Sequence, residues 1–379
     1  MTAVPNIKYK YQFQGAIAPN SPTYLNREAD RELLAALKAG TYCYVLGPLH
    51  SGKTSLMLKA KELLKSANYL CAVLDFSQIK DNLISVEQWY DGAILELETA
   101  GDLSRQSIDL WWSQKEEISP VERLIVFIEE ILLPNVEEKI AIFIDGIESD
   151  RYPNSPLEDL WALIEYCHQE KSKNHRLKRL TFALFGQNIP EDILQLGQTF
   201  KLNNFEWKQV KPLITGLEGK VKNPEAVMGE ILYWTQGQPF LTQKVCKLVE
   251  NYATDSYLGN GKESEEDEAG LVDNLVNICL IDNWESQDEP THLTRIRDRL
   301  LDNHQNPKKL LKQYQQILNP PLESKLQNSD SNKVGIIDEN SPEQKELVAA
   351  GLIGNKEGIL KVNNPIYEAV FSQSGLTQS

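Results

Sequence analysis

At 379 residues the chain is long enough for two or three domains, and its 41% hydrophobic content supplies a proper core, which excludes a disordered tail. With 39 basic against 54 acidic residues the net charge is −15, a field that repels nucleic acid and leaves only a local basic patch as a route to DNA. Five cysteines (Cys43, Cys71, Cys167, Cys246, Cys279) fall without C-x-x-C pairs and five histidines stand apart from them, so no disulfide framework or structural metal is expected; no run approaches eighteen apolar residues and Met1 to Ala18 has no continuous apolar core, so the expectation is a cytoplasmic chain with no membrane span.

In chain order, turns at Pro5, Pro19 and Pro22 lead to a helix near Arg27 to Ala39. Tyr42-Cys43-Tyr44-Val45-Leu46 then reads as a buried strand, and Lys53 to Lys65 carries Leu56, Ala60, Leu63 and Leu64 at helical spacing. Between them Gly47-Pro48-Leu49-His50-Ser51-Gly52-Lys53-Thr54 matches every fixed position of the phosphate-binding loop, G-x-x-x-x-G-K-[ST]. Small residues at Gly47, Ser51 and Gly52 let the backbone wrap a triphosphate with its N–H groups inward, and the helix N-terminus, at Thr54 and Ser55, adds partial positive charge. Lys53 is expected to reach the β- and γ-phosphates and the Thr54 hydroxyl to hold Mg²⁺. His50 has no part in that chemistry beyond its place in the loop, and its side chain reads as facing solvent.

Tyr69 to Asp75 is a second buried strand, followed by helices over Val86 to Glu98 and, after the start signal Ser119-Pro120-Val121-Glu122, over Val121 to Leu133. Ile140-Ala141-Ile142-Phe143-Ile144-Asp145 is a buried strand ending in the carboxylate that belongs on the metal side of a phosphate-loop NTPase, so Asp145 and Thr54 are the expected Mg²⁺ pair. The acid that polarises the attacking water is absent from the next position, where Gly146 stands; Glu148 is the nearest candidate base beside Asp145, and binding is a safer expectation than turnover. A helix over Pro156 to Lys171 and a strand over Leu180 to Gly186 complete an alternation that implies an α/β fold with a parallel sheet, with Gln187 and Asn188 at its carboxyl edge as candidate γ-phosphate sensors. Two basic runs, Lys171 to Arg179 and Arg295 to Arg299 with Lys308, Lys309 and Lys312, read as a solvated helix end and the polar face of a packed helix.

After residue 203 the strand signals stop. Helices are expected over Glu206 to Leu217, Pro224 to Thr235 and Pro239 to Asn251, as a small helical lid, then an acidic linker over 253–269. In the last block a helix over Glu343 to Ala350 precedes a hairpin over Leu352 to Val362, the order of a winged helix, and 320–335 reads as a disordered loop.

Taken together, Tyr24-Leu25-Asn26-Arg27-Glu28-Ala29-Asp30, the phosphate loop, Glu87-Gln88-Trp89-Tyr90, Ser119-Pro120-Val121-Glu122-Arg123-Leu124, Phe143-Ile144-Asp145, Arg179-Leu180-Thr181-Phe182-Ala183-Leu184, Gly237-Gln238-Pro239-Phe240-Leu241-Thr242-Gln243 and Asn364-Pro365-Ile366-Tyr367 resemble the AAA-like domain family of cyanobacterial signalling proteins, over about residues 20–372. The resemblance implies a signal-transduction NTPase of the class known as STAND: a P-loop core over 1–203, a helical lid over 204–252, the linker, and a winged-helix domain over 270–379. It further implies ATP or ADP with Mg²⁺ as cofactors, Pro239 of the Gly-x-Pro lid motif as a nucleotide sensor, and switching between closed and open states with self-assembly when ATP is bound. Relatives often carry effector modules after this region, so an unidentified partner protein in trans is expected here. Two positions depart from the family: its Asp-Glu pair is Asp145-Gly146, closer to the NACHT branch that keeps an acid at Glu148, and its Arg-containing segment after the strand at 180–186 is short, so no arginine finger is carried over. The implied function is a switch with slow or absent hydrolysis; the alternative is an origin- or transposition-type AAA+ DNA-binding ATPase.

Overall fold

The computed structural model describes residues 9–77, 84–104, 111, 117–148, 157–187, 189–255, 268–301, 307–319, 338, 341–356 and 358–372. The expectations for Asn188 and for 320–335 lie outside the described residues, as do 256–267 of the linker. The chain divides into two compact units, a sheet unit of Arg27–Gly47 with Lys53–Leu202 and a helical unit of Met1–Asn26, Pro48–Gly52 and Asn203–Ser379.

In the sheet unit α1 (Glu28–Lys38), β1 (Cys43–Leu46), α2 (Lys53–Lys65), β2 (Tyr69–Asp75), α3 (Val86–Ala100), α4 (Pro120–Phe127), β3 (Lys139–Glu148), α5 (Leu157–Glu170), β4 (Leu180–Gln187), α6 (Glu191–Leu194) and β5 (Gln198–Lys201) follow in order. The five strands are all parallel, in the order β2-β3-β4-β1-β5. Parallel strands are covered on both faces, which is why they read as unbroken apolar runs: every residue of β4 is buried. The period of two divides β3 between the faces. Ala141 and Phe143 pack with Leu37, Leu56 and Ala60 of α1 and α2, while Ile140, Ile142 and Ile144 pack with Trp89, Phe127 and Leu160 of α3, α4 and α5.

Helix starts follow their signals. Ser85 accepts from Gln88 N at 3.2 Å, and Ser119 accepts from Glu122 N at 3.4 Å with Pro120 in the first turn. The helix begun by Pro120 widens to a π-turn over Ile128–Leu132 and ends with Leu133–Asn135, a departure from the regular helix expected. β5 was not expected at all, because only Phe200 of its four residues is buried and so short a strand carries no periodic signal.

The first basic run is structural. Lys171 Nζ stands 3.8 Å from the Tyr42 ring centroid, Lys173 pairs with Glu170 at 2.7 Å, and Arg179 donates to Leu133 O at 2.6 Å and also to Val136 O. Arg179 thus takes two carbonyls at the end of the helix begun by Pro120, where the chain leaves the helix and offers them no further turn.

The helical unit holds α7 (Lys211–Leu217), α8 (Pro224–Thr235), α9 (Pro239–Asp255), α10 (Glu268–Val276), α11 (Trp284–Gln287), α12 (Leu293–Leu301), α13 (Pro307–Leu318), α14 (Pro342–Ala349), the antiparallel pair β6 (Ile353–Lys356) and β7 (Ile359–Val362), and α15 (Pro365–Val370). One core runs through it, including Leu213, Met228, Val245, Val276, Leu300, Tyr314, Leu347 and Tyr367. Residues before α1 are pinned here: Tyr11 OH donates to Leu213 O at 2.7 Å and Gln243 Nε2 donates to Thr23 O at 2.9 Å. Within the second basic run Arg297 pairs with Glu285 at 2.7 Å, Lys309 with Glu343 at 2.6 Å, and Arg299 with Glu346. Among the described residues no helix is long and apolar enough to cross a membrane.

Arg179→Gln is expected to lower the stability of the chain by about 1–3 kcal/mol, since two buried acceptors lose their donor. Urea unfolding reads this as a lower midpoint at unchanged slope, and a midpoint equal to wild type would refute the cap.

Candidate functional site

In the sheet unit β1 and β3 reach the same carboxyl edge with β4 between them, and open α/β sheets bind ligands at that edge. Gly47 directly follows β1, and Lys53 and Thr54 open α2. Thr54 Oγ1 donates to Asp145 Oδ2 at 2.7 Å, and Gly146 N donates to Asp145 Oδ1 at 2.9 Å. Lys53 Nζ donates to Gly47 O at 2.6 Å, and Gln187 Nε2 donates to the same oxygen at 3.2 Å. Lys53, Thr54, Asp145 and Gln187 are therefore brought to one place. Ser55 lies a residue deeper in α2 and is buried.

Burial pushes the Asp145 carboxyl above the ordinary carboxylate range; the Thr54 and Gly146 hydrogen bonds and the Lys53 charge pull it back, and Asp75 pushes it further up. Asp75 is the residue that sequence reading missed. It pairs in register with Asp145 at the end of β2, is exposed, and accepts from Ser77 N at 2.9 Å and Ser77 Oγ at 2.6 Å. The available signal was that both strand-like runs end in Asp, so aligning the two ends would have set them side by side.

Gly146 has φ +81°, and the pairing of β3 with β4 shifts register between Ile144 and Ile147, a bulge directly after Asp145. A Cβ at Gly146 would stand 2.8 Å from Ser77 N. The position that would carry a second acid is thus closed to any side chain by the backbone. Beyond the bulge Glu148 re-enters the strand opposite Gln187; the role expected of it belongs to its side chain, which lies outside the described part.

The rest of the loop belongs to the helical unit. Within Pro48–Gly52, Ser51 N donates to Pro48 O at 3.3 Å, and His50 and Gly52 have φ of +60° and +90°. The expectation that the His50 side chain faces solvent is corrected: its ring stacks on Phe240 at 4.8 Å and on His292 at 4.9 Å. Pro239 is the first residue of α9, and beside it Gln238 Nε2 donates to His50 O at 3.3 Å while Gln238 Oε1 accepts from Leu241 N at 2.6 Å. The Gly-x-Pro segment therefore touches the loop through Gln238, by one side chain that also caps α9. Leu49 lies in the loop, half-buried. Among the described residues no group of three or more His, Cys, Asp or Glu side chains is placed to hold a metal by itself.

The model of the AAA-like domain family matches residues 12–258. An uncharacterized WD repeat-containing protein of Synechocystis sp. is 35% identical over 372 residues, which are 96% of this chain and 30% of that protein, so the chain spans less than a third of this curated relative. A Walker-type ATPase of Pyrococcus abyssi superposes with a TM-score of 0.52 at 17% identity, covering 95% of this chain and 99% of that one. The ORC2 protein of Aeropyrum pernix, solved in ADPNP–ADP complexes, superposes with a TM-score of 0.51 at 14% identity, covering 96% of both. At these identities the two structures share the fold with this chain.

Gly146→Ala is expected to destabilise the protein by about 2–4 kcal/mol, from a left-handed backbone and a Cβ driven into Ser77. Chemical denaturation checks it. A variant as stable as wild type would mean that the bulge relaxes freely and that the missing acid has no backbone cause.

Proposed function

This chain belongs to the AAA-like domain family, and on that premise we propose that it is an ATP-binding molecular switch of the STAND type, with slow or absent hydrolysis, working in the cytoplasm. The observation that carries the reading is the meeting of Thr54 Oγ1 with Asp145 Oδ2, at 2.7 Å, beside the Lys53 ammonium. A hydroxyl and a carboxylate are the hard oxygen donors that suit Mg²⁺, which keeps most of its waters and takes few protein ligands. The carboxyl that burial pushes up is the one that gains most from a cation beside it. Bound there, the cation would neutralise phosphate charge; Thr54 and Asp145 would hold it, directly or through water, and Lys53 would leave Gly47 O for the β- and γ-phosphates.

Slow turnover follows from the bulge. With a side chain at 146 opposed by the Ser77 backbone, orientation of water would fall to Glu148, and Asp75 is a second carboxylate beside Asp145. The helix and hairpin formed by α14, β6 and β7 support a winged-helix reading of the C-terminal block, as a surface for protein contact. The output is proposed to be an unidentified partner protein, or assembly of the ATP-bound chain with copies of itself. DNA is the less favoured partner, because the net charge is −15 and Arg179, Arg297 and Lys309 of the two basic runs are held in a cap and ion pairs.

Calorimetric titration of Mg·ATP and Mg·ADP into wild type and Lys53→Ala tests the reading, with phosphate release followed on the same samples. Binding by wild type and a loss of roughly 10- to 100-fold in Lys53→Ala are expected, as for removal of charge-assisted hydrogen bonds. No binding by wild type, or equal affinity in the two, would overturn it.

A further inference from the structure

The basic run after α5 is only partly used by the fold. Lys173 and Arg179 have partners there, whereas Arg176 and Lys178 are exposed and, among the described residues, have no acid at ion-pair distance. Lys171, at the head of the run, is half-buried. Its Nζ stands 3.8 Å from the centroid of the Tyr42 ring and donates to Gly40 O at 3.5 Å. Tyr42 is 1% exposed, and its ring is wedged edge-on against Phe182 at 5.3 Å and His168 at 5.7 Å, so the surface under the amine is fixed. Gly40 also borders the rest of the run: a Cβ at position 40 would lie 3.9 Å from Lys178 O. All of this lies at the amino edge of the sheet, where β1 begins, a strand's length from the phosphate loop that follows β1.

A lysine drawn out of water ordinarily keeps its charge by meeting a carboxylate. The carboxylates of this region are engaged elsewhere, Glu170 with Lys173 at 2.7 Å and Glu129 with the Tyr166 hydroxyl at 3.0 Å. The Cys167 thiol, one turn back on α5, is pushed up to about 12 by burial and stays uncharged. Lys171 is left with a ring face and one carbonyl, which hold an ammonium more weakly than a carboxylate does. Burial therefore prevails and brings its amine down to about 8, against the smaller upward pull of Cys167. At about pH 7.5 roughly a quarter of such an amine is unprotonated, against about one in a thousand of an ordinary lysine.

An unprotonated amine offers its lone pair to an acyl carbon, and the neighbouring cations favour an electrophile that carries phosphate. We propose that Lys171 is an acylation site served by small acyl phosphates, the exposed cations of the following turn, Arg176 and Lys178, drawing in the phosphate while Nζ attacks the acyl carbon. Nitrogen forms an amide bond to that carbon, and the C–O bond to phosphate breaks. Inorganic phosphate departs with the electron pair, and the proton lost from nitrogen passes to solvent. The product amide carries no charge and loses its attraction to the Tyr42 ring. The amino edge of the sheet thus records exposure to acyl phosphate, independently of nucleotide at the other edge.

Treatment of the full-length chain with acetyl phosphate, and separately with the uncharged reagent acetic anhydride, tests the site, with acetylation of each lysine followed over time by peptide mass spectrometry. At about pH 7.5 Lys171 is expected to react roughly tenfold faster than the median lysine with either reagent, the gain in free amine exceeding the nucleophilicity lost with lower basicity. Its rate should level off above about pH 8, whereas exposed lysines go on rising to about pH 10. The double variant Arg176→Gln, Lys178→Gln, altered only at exposed side chains, should lose about threefold or more of the Lys171 rate with acetyl phosphate and none with acetic anhydride. A Lys171 rate at or below the median in wild type, or one that climbs with pH as exposed lysines do, overturns the site. An equal loss with both reagents, or no loss with either, overturns the choice of acyl phosphate.

Discussion

The hydrogen bond from Thr54 to Asp145 joins residues 91 apart in sequence, and the sheet unit is arranged so that it can form. Thr54 is placed by the turn from β1 into α2, and Asp145 by the end of β3. These strands are not neighbours; β4 sits between them, wholly buried, pairing Leu46 with Gly186 on one side and Ile144 with Leu184 on the other. A slip of one residue on either side would turn every side chain of a strand to the opposite face, so the packing that fixes register also fixes the site. The apolar layers above and below β4 act as the ruler for a polar contact that contributes little to stability itself. A single net hydrogen bond is worth about 1 kcal/mol, whereas each buried Leu or Phe of the two layers is worth about 1.5–3.

The bulge after Asp145 shows what the edge gives up. Two carboxylates, Asp75 at the end of β2 and Asp145 just before the bulge of β3, stand in register on neighbouring strands, an arrangement that like charges oppose. Asp75 is relieved by Ser77, through both its N–H and its hydroxyl, and the same Ser77 backbone occupies the space where a side chain at 146 would go. Stabilising the first acid and excluding a third are thus one structural event. A divalent cation beside such groups would convert their repulsion into attraction, which on the proposed reading favours nucleotide holding over rapid turnover.

Much of this was legible in the residues. The apolar runs up to Leu46, Asp75 and Asp145 announce strands because a parallel sheet is covered on both faces, and Ser85, Ser119 and Pro120 mark helix starts by local chemistry. What was illegible had partners far away or signals too short. β5 has one buried residue in four, and the π-turn at Ile128–Leu132 sits inside an unbroken helical pattern. The basic run ending at Arg179 looked like a solvated helix end because its acceptors, Leu133 and Val136, lie more than forty residues earlier. His50 is the extreme case: nothing within its own segment predicts a ring 242 residues later.

The charge of the chain can be set beside the anion it is proposed to hold. A net charge of −15 acts over the surface and is screened within about 8 Å at physiological ionic strength. The donors of the loop act at contact distance, where screening by salt is slight and the start of α2 contributes its own partial positive charge. A mononucleotide would meet only those donors. A nucleic acid presents a charge every few ångströms and must be met by a matching row of cations, and here Arg297, Arg299 and Lys309 are each turned to an acid of their own unit. On the proposed reading, the loop's own donors would favour a small polyphosphate over a long one.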